Sequence, residues 1–148
     1  MIFVIITGIV LLDQIIKYII YHSFYPGQSQ PVMENVFHLT YVKNTGAAFG
    51  IMQGYNYIFI IFSLVVLAFF IYHIVTGRID SLLFRIASGL LLGGAMGNLL
   101  DRIIHGYVID YLDFRFWPVF NVADVSVVVG VLLMLIFIFQ APGAAGNK

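Results

Sequence analysis

Any hydrolytic chemistry in this chain has to come from carboxyl groups. Cysteine is absent, which removes thiol nucleophiles and thiolate metal sites. Ser63 and Ser88 fall inside apolar stretches, and Ser126 follows Asp124 too closely to form a nucleophile elbow. His22, His38, His73 and His105 are scattered without metal-ligand spacing and read as interfacial residues, so neither a metal nor another cofactor is expected. Asp101, Asp110, Asp113 and Asp124 remain. Two aspartates a few ångströms apart share one proton and titrate as a pair. The ionised member takes a proton from water while the protonated member polarises a scissile carbonyl, and proton return to the amide nitrogen expels the amine. Chemistry alone leaves open which two of the four do this.

The spacing of the polar residues adds geometry. Asp13 and Lys17 stand at i, i+4, one above the other on a helix face, and read as an ion pair that pins helices together. Asn98, Asp101 and Arg102 stand at i, i+3, i+4, with Asp101 beside Arg102 also readable as a helix-end salt bridge. Asn121 and Asp124 are again three apart, and Asp124 in the first turn of a helix is favoured by the macrodipole. Lys43 could snorkel toward headgroups, Asp113 and Arg115 read as interfacial solvation, and the Gly93, Gly94 and Gly97 cluster as close helix packing. Helix pinning does not account for Asp110 and Asp124 together with Asn44, Asn98 and Asn121.

The elements that carry these residues are set by composition. Of 148 residues 61% are hydrophobic and 9% charged, too few charges to solvate a soluble globule, so lipid must be the solvent for most of the surface. Membrane lipids are therefore partners. Zero net charge and the lack of a basic run argue against nucleic acid. One domain, 1–148, is expected. Four stretches are long enough to span a bilayer as helices, at about 2–20, 57–75, 82–100 and 122–139. The first carries Asp13 and Lys17 and lacks a basic leader and a cleavage site, so it reads as a retained span. The run from Val36 to Val42 predicts a short strand or hairpin between the first two spans. Residues 76–81 form a tight turn, residues 101–121 an aromatic-rich interfacial connection, and 141–148 a frayed tail. Four spans put both termini on one side and both long loops on the other, with all the groups above in one slab at the loop side. Lys and Arg counts are balanced, Arg78, Arg85 and Lys148 against Lys43, Arg102 and Arg115, and do not orient the chain.

Five blocks in order are similar to the motif series of the lipoprotein signal peptidases (signal peptidase II). They are Asp13-x-x-x-Lys17, Lys43-Asn44-Thr45-Gly46-Ala47-Ala48-Phe49, Gly97-Asn98-Leu99-Leu100-Asp101-Arg102, Val108-Ile109-Asp110 and Phe120-Asn121-Val122-Ala123-Asp124. The resemblance implies an all-α membrane protein, a four-helix bundle with a small extracytoplasmic β element between helices 1 and 2. It implies an aspartic endopeptidase that removes the signal peptide from prolipoproteins, cleaving before the diacylglyceryl-modified cysteine at the outer face of the bacterial cytoplasmic membrane, with cytoplasmic termini. Carried over by motif, Asp110 and Asp124 are the catalytic dyad, Asn44, Asn98, Arg102 and Asn121 bind substrate, and Asp13, Lys17 and Asp101 are structural supports. A monomer is expected.

The competing class is a small four-span proton-coupled transporter, which would place carboxylates near the membrane midplane on a path open to both sides. Polar groups crowded at one surface favour the peptidase.

Overall fold

Stretches of unbroken hydrocarbon side chains satisfy their backbone polar groups internally by coiling, and four of them do so here. The computed structural model describes residues 1–46, 53–77 and 81–140. The helices are α1 (Ile2–Ser23), α2 (Asn56–Val75), α3 (Leu82–Ile104) and α4 (Val122–Gln140), each long and apolar enough to cross a membrane. Ala47, Ala48 and Phe49 of the second motif block, Arg78 and Lys148 of the charge comparison, part of the turn between α2 and α3, and the expected frayed tail lie outside the described residues.

α3 is the hub, packed against α1, α2 and α4. Its glycines allow this. A Cβ at Gly89 or Gly93 would run into Ile5 or Ile9 of α1, and one at Gly94 or Gly97 would run into α4 and Asp13. α4 returns the favour at Gly130, where a Cβ would meet the backbone of Ala87 and Leu91. Small residues let helix backbones approach where no hydrophobic driving force separates protein from lipid. α2 has no buried residue and stays on the periphery.

Three strands cap one end of the bundle: β1 (Ser29–Met33), β2 (Phe37–Asn44) and β3 (Val108–Asp113), antiparallel in the order β1-β2-β3. The expected element between the first two helices is the β1–β2 hairpin, turned through Asn35 at positive φ. Its third strand, however, comes from the connection between α3 and α4, so the β element is not confined to one loop and the all-α description must include this sheet. α3 ends at Ile104, and Gly106, with φ of 79°, reverses the chain into β3. Side chains of β3 alternate. Ile109 and Tyr111 pack with Tyr41 and Ile20 in a buried cluster against the end of α1, while Val108 and Asp110 face the helices. Val42 pairs with Asp110 and Asn44 with Val108, so Asn44 and Asp110 are diagonal neighbours on one face.

Candidate active site

The start of α4 fixes Asp124. Asn121 is its N-cap: Asn121 Oδ1 accepts the Asp124 N–H at 2.8 Å, and Asp124 Oδ2 accepts the Asn121 N–H at 3.1 Å. This reciprocal capping box ties the backbone to the side chain it presents. Asp124 Oδ1 accepts from Asn98 Nδ2 of α3 at 2.7 Å.

Asp110 is fixed by its strand. Its Oδ2 accepts from Asn44 Nδ2 at 2.9 Å and its Oδ1 from Asn121 Nδ2 at 2.7 Å. Asn44 is itself held by the Gly46 N–H, which donates to its Oδ1 at 2.9 Å. Asn121 therefore serves both carboxylates, one through its amide nitrogen and the other through its backbone. Burial, and then the negative charge of Asp124, push the Asp110 carboxyl up to about 7, against the pull of the Asn44 and Asn121 donors and of Lys17.

Both carboxyl groups stand at the polar end of a cavity of about 1100 Å³. Asn44, Asn98 and Arg102 line the same end, while Phe62 and Val66 of α2, Leu91 of α3 and Val128, Val131 and Leu135 of α4 line the apolar remainder. Arg102 reaches the carbonyls of Asn98 and Gly46 at 3.4 and 3.3 Å and lies over the Phe59 ring at 5.1 Å. It does not pair with Asp101 in a helix-end salt bridge, because adjacent helical residues face different ways. Asn121, expected to bind substrate, is fully buried and not part of the cavity wall. It stands behind the aspartates because capping α4 turns its side chain inward.

The remaining polar residues form a second buried group behind the first. Lys17 Nζ contacts Asp13 Oδ2 at 2.7 Å, Asp101 Oδ2 at 2.9 Å and Asn98 Oδ1 at 2.9 Å, which uses all three donors of its ammonium. Asp13, Lys17 and Asp101 are at most 1% exposed. Gln14, which belongs to none of the motif blocks, donates to Asp101 Oδ1 at 3.0 Å and to the Gly97 carbonyl at 3.1 Å. Its signal in the sequence is a polar residue between Asp13 and Lys17 in an otherwise apolar span.

Asp113 stands apart. It is buried rather than solvated, accepting from Thr40 Oγ1 at 2.7 Å and from the Arg115 N–H and guanidinium at 2.8 and 3.0 Å. Burial raises its carboxyl, but these donors outweigh that and hold it below the usual range. Lys43 is exposed, with Nζ 4.8 Å from the Tyr107 ring centre. Among the described residues no three histidine or acidic side chains stand close enough to hold a metal ion.

Known proteins match this chain in sequence and in fold. The family described as "Signal peptidase (SPase) II" matches residues 5–140. The lipoprotein signal peptidase of Halothermothrix orenii is 46% identical over 140 residues, covering 95% of this chain and 96% of its own. That of Clostridioides difficile is 43% identical over 129 residues, 86% of each chain. A bacterial membrane enzyme solved by the in meso method at 2.3 Å superimposes with a TM-score of 0.89 at 32% identity, covering 99% of this chain and 92% of that one. A second, at 1.9 Å, gives 0.84 at 33% identity, covering 95% and 93%.

Proposed function

The chain belongs to the signal peptidase II family of membrane proteases, and on that premise we propose that it is an aspartic endopeptidase of prolipoproteins with Asp110 and Asp124 as its catalytic pair. The observation that carries this reading is the joint hold of Asn121 on both carboxylates at the polar end of an apolar cavity. Nothing in that arrangement, or among the relatives, favours the transporter.

We assign the shared proton to Asp110, whose carboxyl burial raises to about 7, and the base role to Asp124, whose place in the first turn of α4 favours the charged form. Asp124 takes a proton from water as the hydroxyl adds to the scissile carbonyl carbon. Asp110 gives its proton toward the carbonyl oxygen, producing a neutral gem-diol. The proton on Asp124 then passes to the amide nitrogen, the C–N bond breaks, and a gem-diol hydroxyl proton returns to Asp110 as the carboxylic acid forms. Asn44, Asn98 and Arg102, on the cavity wall, hold the substrate backbone across the pair.

The apolar cavity runs from Asp124 to Leu135 of α4, about 16 Å along the helix. That depth suits the acyl chains of a diacylglyceryl-modified cysteine and the apolar signal segment preceding it. With the site at the outer leaflet, the termini are cytoplasmic. The experiment is cleavage in detergent of a prolipoprotein peptide with and without its diacylglyceryl group. The lipidated form is expected to turn over and the unlipidated form at least about 100-fold more slowly, since it forgoes the burial of long hydrocarbon chains. Equal cleavage of both would sink the lipid assignment.

The dyad also sets a pH dependence. Because Asp110 must carry a proton, kcat/KM is expected to fall as pH rises through about 7, a limb read from initial rates between pH 5 and 9. Stability follows the same sign. An Asp110 carboxyl raised above its unfolded value favours folding most at low pH, and that contribution is lost as pH rises through about 7. A flat rate profile across neutrality contradicts the acid role of Asp110.

A further inference from the structure

The group behind the dyad is built around two backbone contacts. Asp13 Oδ1 accepts the N–H of Ala123 at 3.0 Å, and Asp101 Oδ2 accepts the N–H of Ile109 at 2.9 Å. Ala123 is the residue immediately before Asp124, and Ile109 the residue immediately before Asp110. Each buried carboxylate therefore grips the chain one residue ahead of one catalytic aspartate. The first grip crosses from α1 to α4 past Gly97, where a Cβ would lie 2.6 Å from Asp13 Oδ2, so the contact requires glycine there.

Lys17 joins the two grips, and its third donor holds Asn98 Oδ1 at 2.9 Å. An ammonium has no acceptor, so it dictates which end of the Asn98 amide faces it. The NH₂ end is thereby turned to Asp124. Gln14 completes the frame by tying Asp101 to the Gly97 carbonyl. None of Asp13, Gln14, Lys17 and Asp101 lines the cavity.

We propose that Asp13, Gln14, Lys17 and Asp101 are one set of positioning residues that fixes the separation and orientation of Asp110 and Asp124 from behind. The proposal rests on the dyad reading and extends the role of these residues beyond support of the helix bundle. A purely structural pin would affect how much protein folds. A positioning set affects turnover in the molecules that do fold.

The test compares Asp13→Ala, Asp13→Asn, Asp101→Ala, Asp101→Asn and Gln14→Leu in detergent. Rates on a diacylglyceryl-modified prolipoprotein peptide are normalised to monodisperse, helical protein. A misplacement of about 1 Å costs about 100-fold in rate, so the alanine variants are expected to lose about that in kcat with KM little changed. Asp101→Asn keeps one oxygen for both the Ile109 N–H and Lys17 and stays within about tenfold of wild type, as does Gln14→Leu, which nonetheless falls measurably below it. Asp13→Asn must release either the Ala123 N–H or Lys17 and falls between Asp101→Asn and the alanine variants. Alanine variants with wild-type kcat per folded molecule, and the whole effect in melting temperature, overturn the proposal. Should they fail to fold, Gln14→Leu at wild-type kcat overturns it instead. Failure of the dyad reading is a separate result, in which Asp110→Asn or Asp124→Asn still cleaves.

Discussion

Asp110→Asn and Asp124→Asn are each expected to lower cleavage of a lipidated prolipoprotein by at least about 10³-fold while the protein still folds, because neither amide can exchange the proton that the reaction moves between the pair. The two variants differ in what else they disturb. In Asp124→Asn the new amide can turn its oxygen to Asn98 Nδ2 or to the Asn121 N–H, not both, so it surrenders one bond of the capping box or of the α3 contact. Asn98 cannot flip to help, since its oxygen is held by Lys17 and by Asn121 Nδ2. In Asp110→Asn the amide likewise faces two donors, Asn44 and Asn121, with one oxygen. Asn44 can turn its own oxygen inward, but only by releasing the Gly46 N–H. Each variant should therefore lose about 1–3 kcal/mol of stability, the cost of one unsatisfied buried group, in addition to its activity. Asp113→Asn supplies the control. It weakens the Thr40 and Arg115 contacts and lowers melting temperature, yet turnover per folded molecule should match wild type. Cleavage within about tenfold of wild type by either dyad variant, or loss of turnover in the control, would reassign the acid and base.

The boundaries of the spans were legible because lipid asks only for length and hydropathy; the stretch expected at 57–75 is the helix Asn56–Val75. β3 was harder. Val108 to Asp113 reads Val-Ile-Asp-Tyr-Leu-Asp, without the apolar–polar alternation of a half-buried strand, its aromatic surroundings suit an interfacial belt, and its partner β2 lies more than sixty residues earlier. Long-range pairing of that kind leaves no local trace. The same holds for Asp101. Its nearest charge in sequence is Arg102, yet its ion-pair partner is Lys17, on another helix. The i, i+4 pairing of Asp13 with Lys17 was local and visible. The grip of Asp13 on Ala123 was not, because it spans 110 residues and depends on a glycine in a third helix.

Gly94→Ala should be the most damaging substitution outside the polar cluster. A Cβ at Gly94 would overlap the Ala123 carbonyl oxygen and come within 2.8 Å of Val127 Cγ2 and 3.1 Å of Val127 N. Two of those atoms belong to the backbone of α4, so no side-chain rotation relieves the contact and the helix itself must move. Overpacking of this kind costs about 1–3 kcal/mol, with α3 and α4, the most extensively packed pair of helices, driven apart. The displaced segment is the first turn of α4, which carries Asp124, and the Ala123 N–H that Asp13 holds belongs to the residue whose carbonyl the new methyl would strike. Turnover is thus expected to fall about 100-fold alongside stability, since a shift near 1 Å of one catalytic carboxylate relative to the other suffices. Gly8→Ala, where nothing lies within 4 Å of the added methyl, should leave both unchanged. The decisive measurement is kcat per folded molecule beside the melting temperature for both variants. A Gly94→Ala protein that melts and cleaves like wild type would mean that α4 is not held against α3 at this point, and that the position of Asp124 does not depend on the small-residue seam.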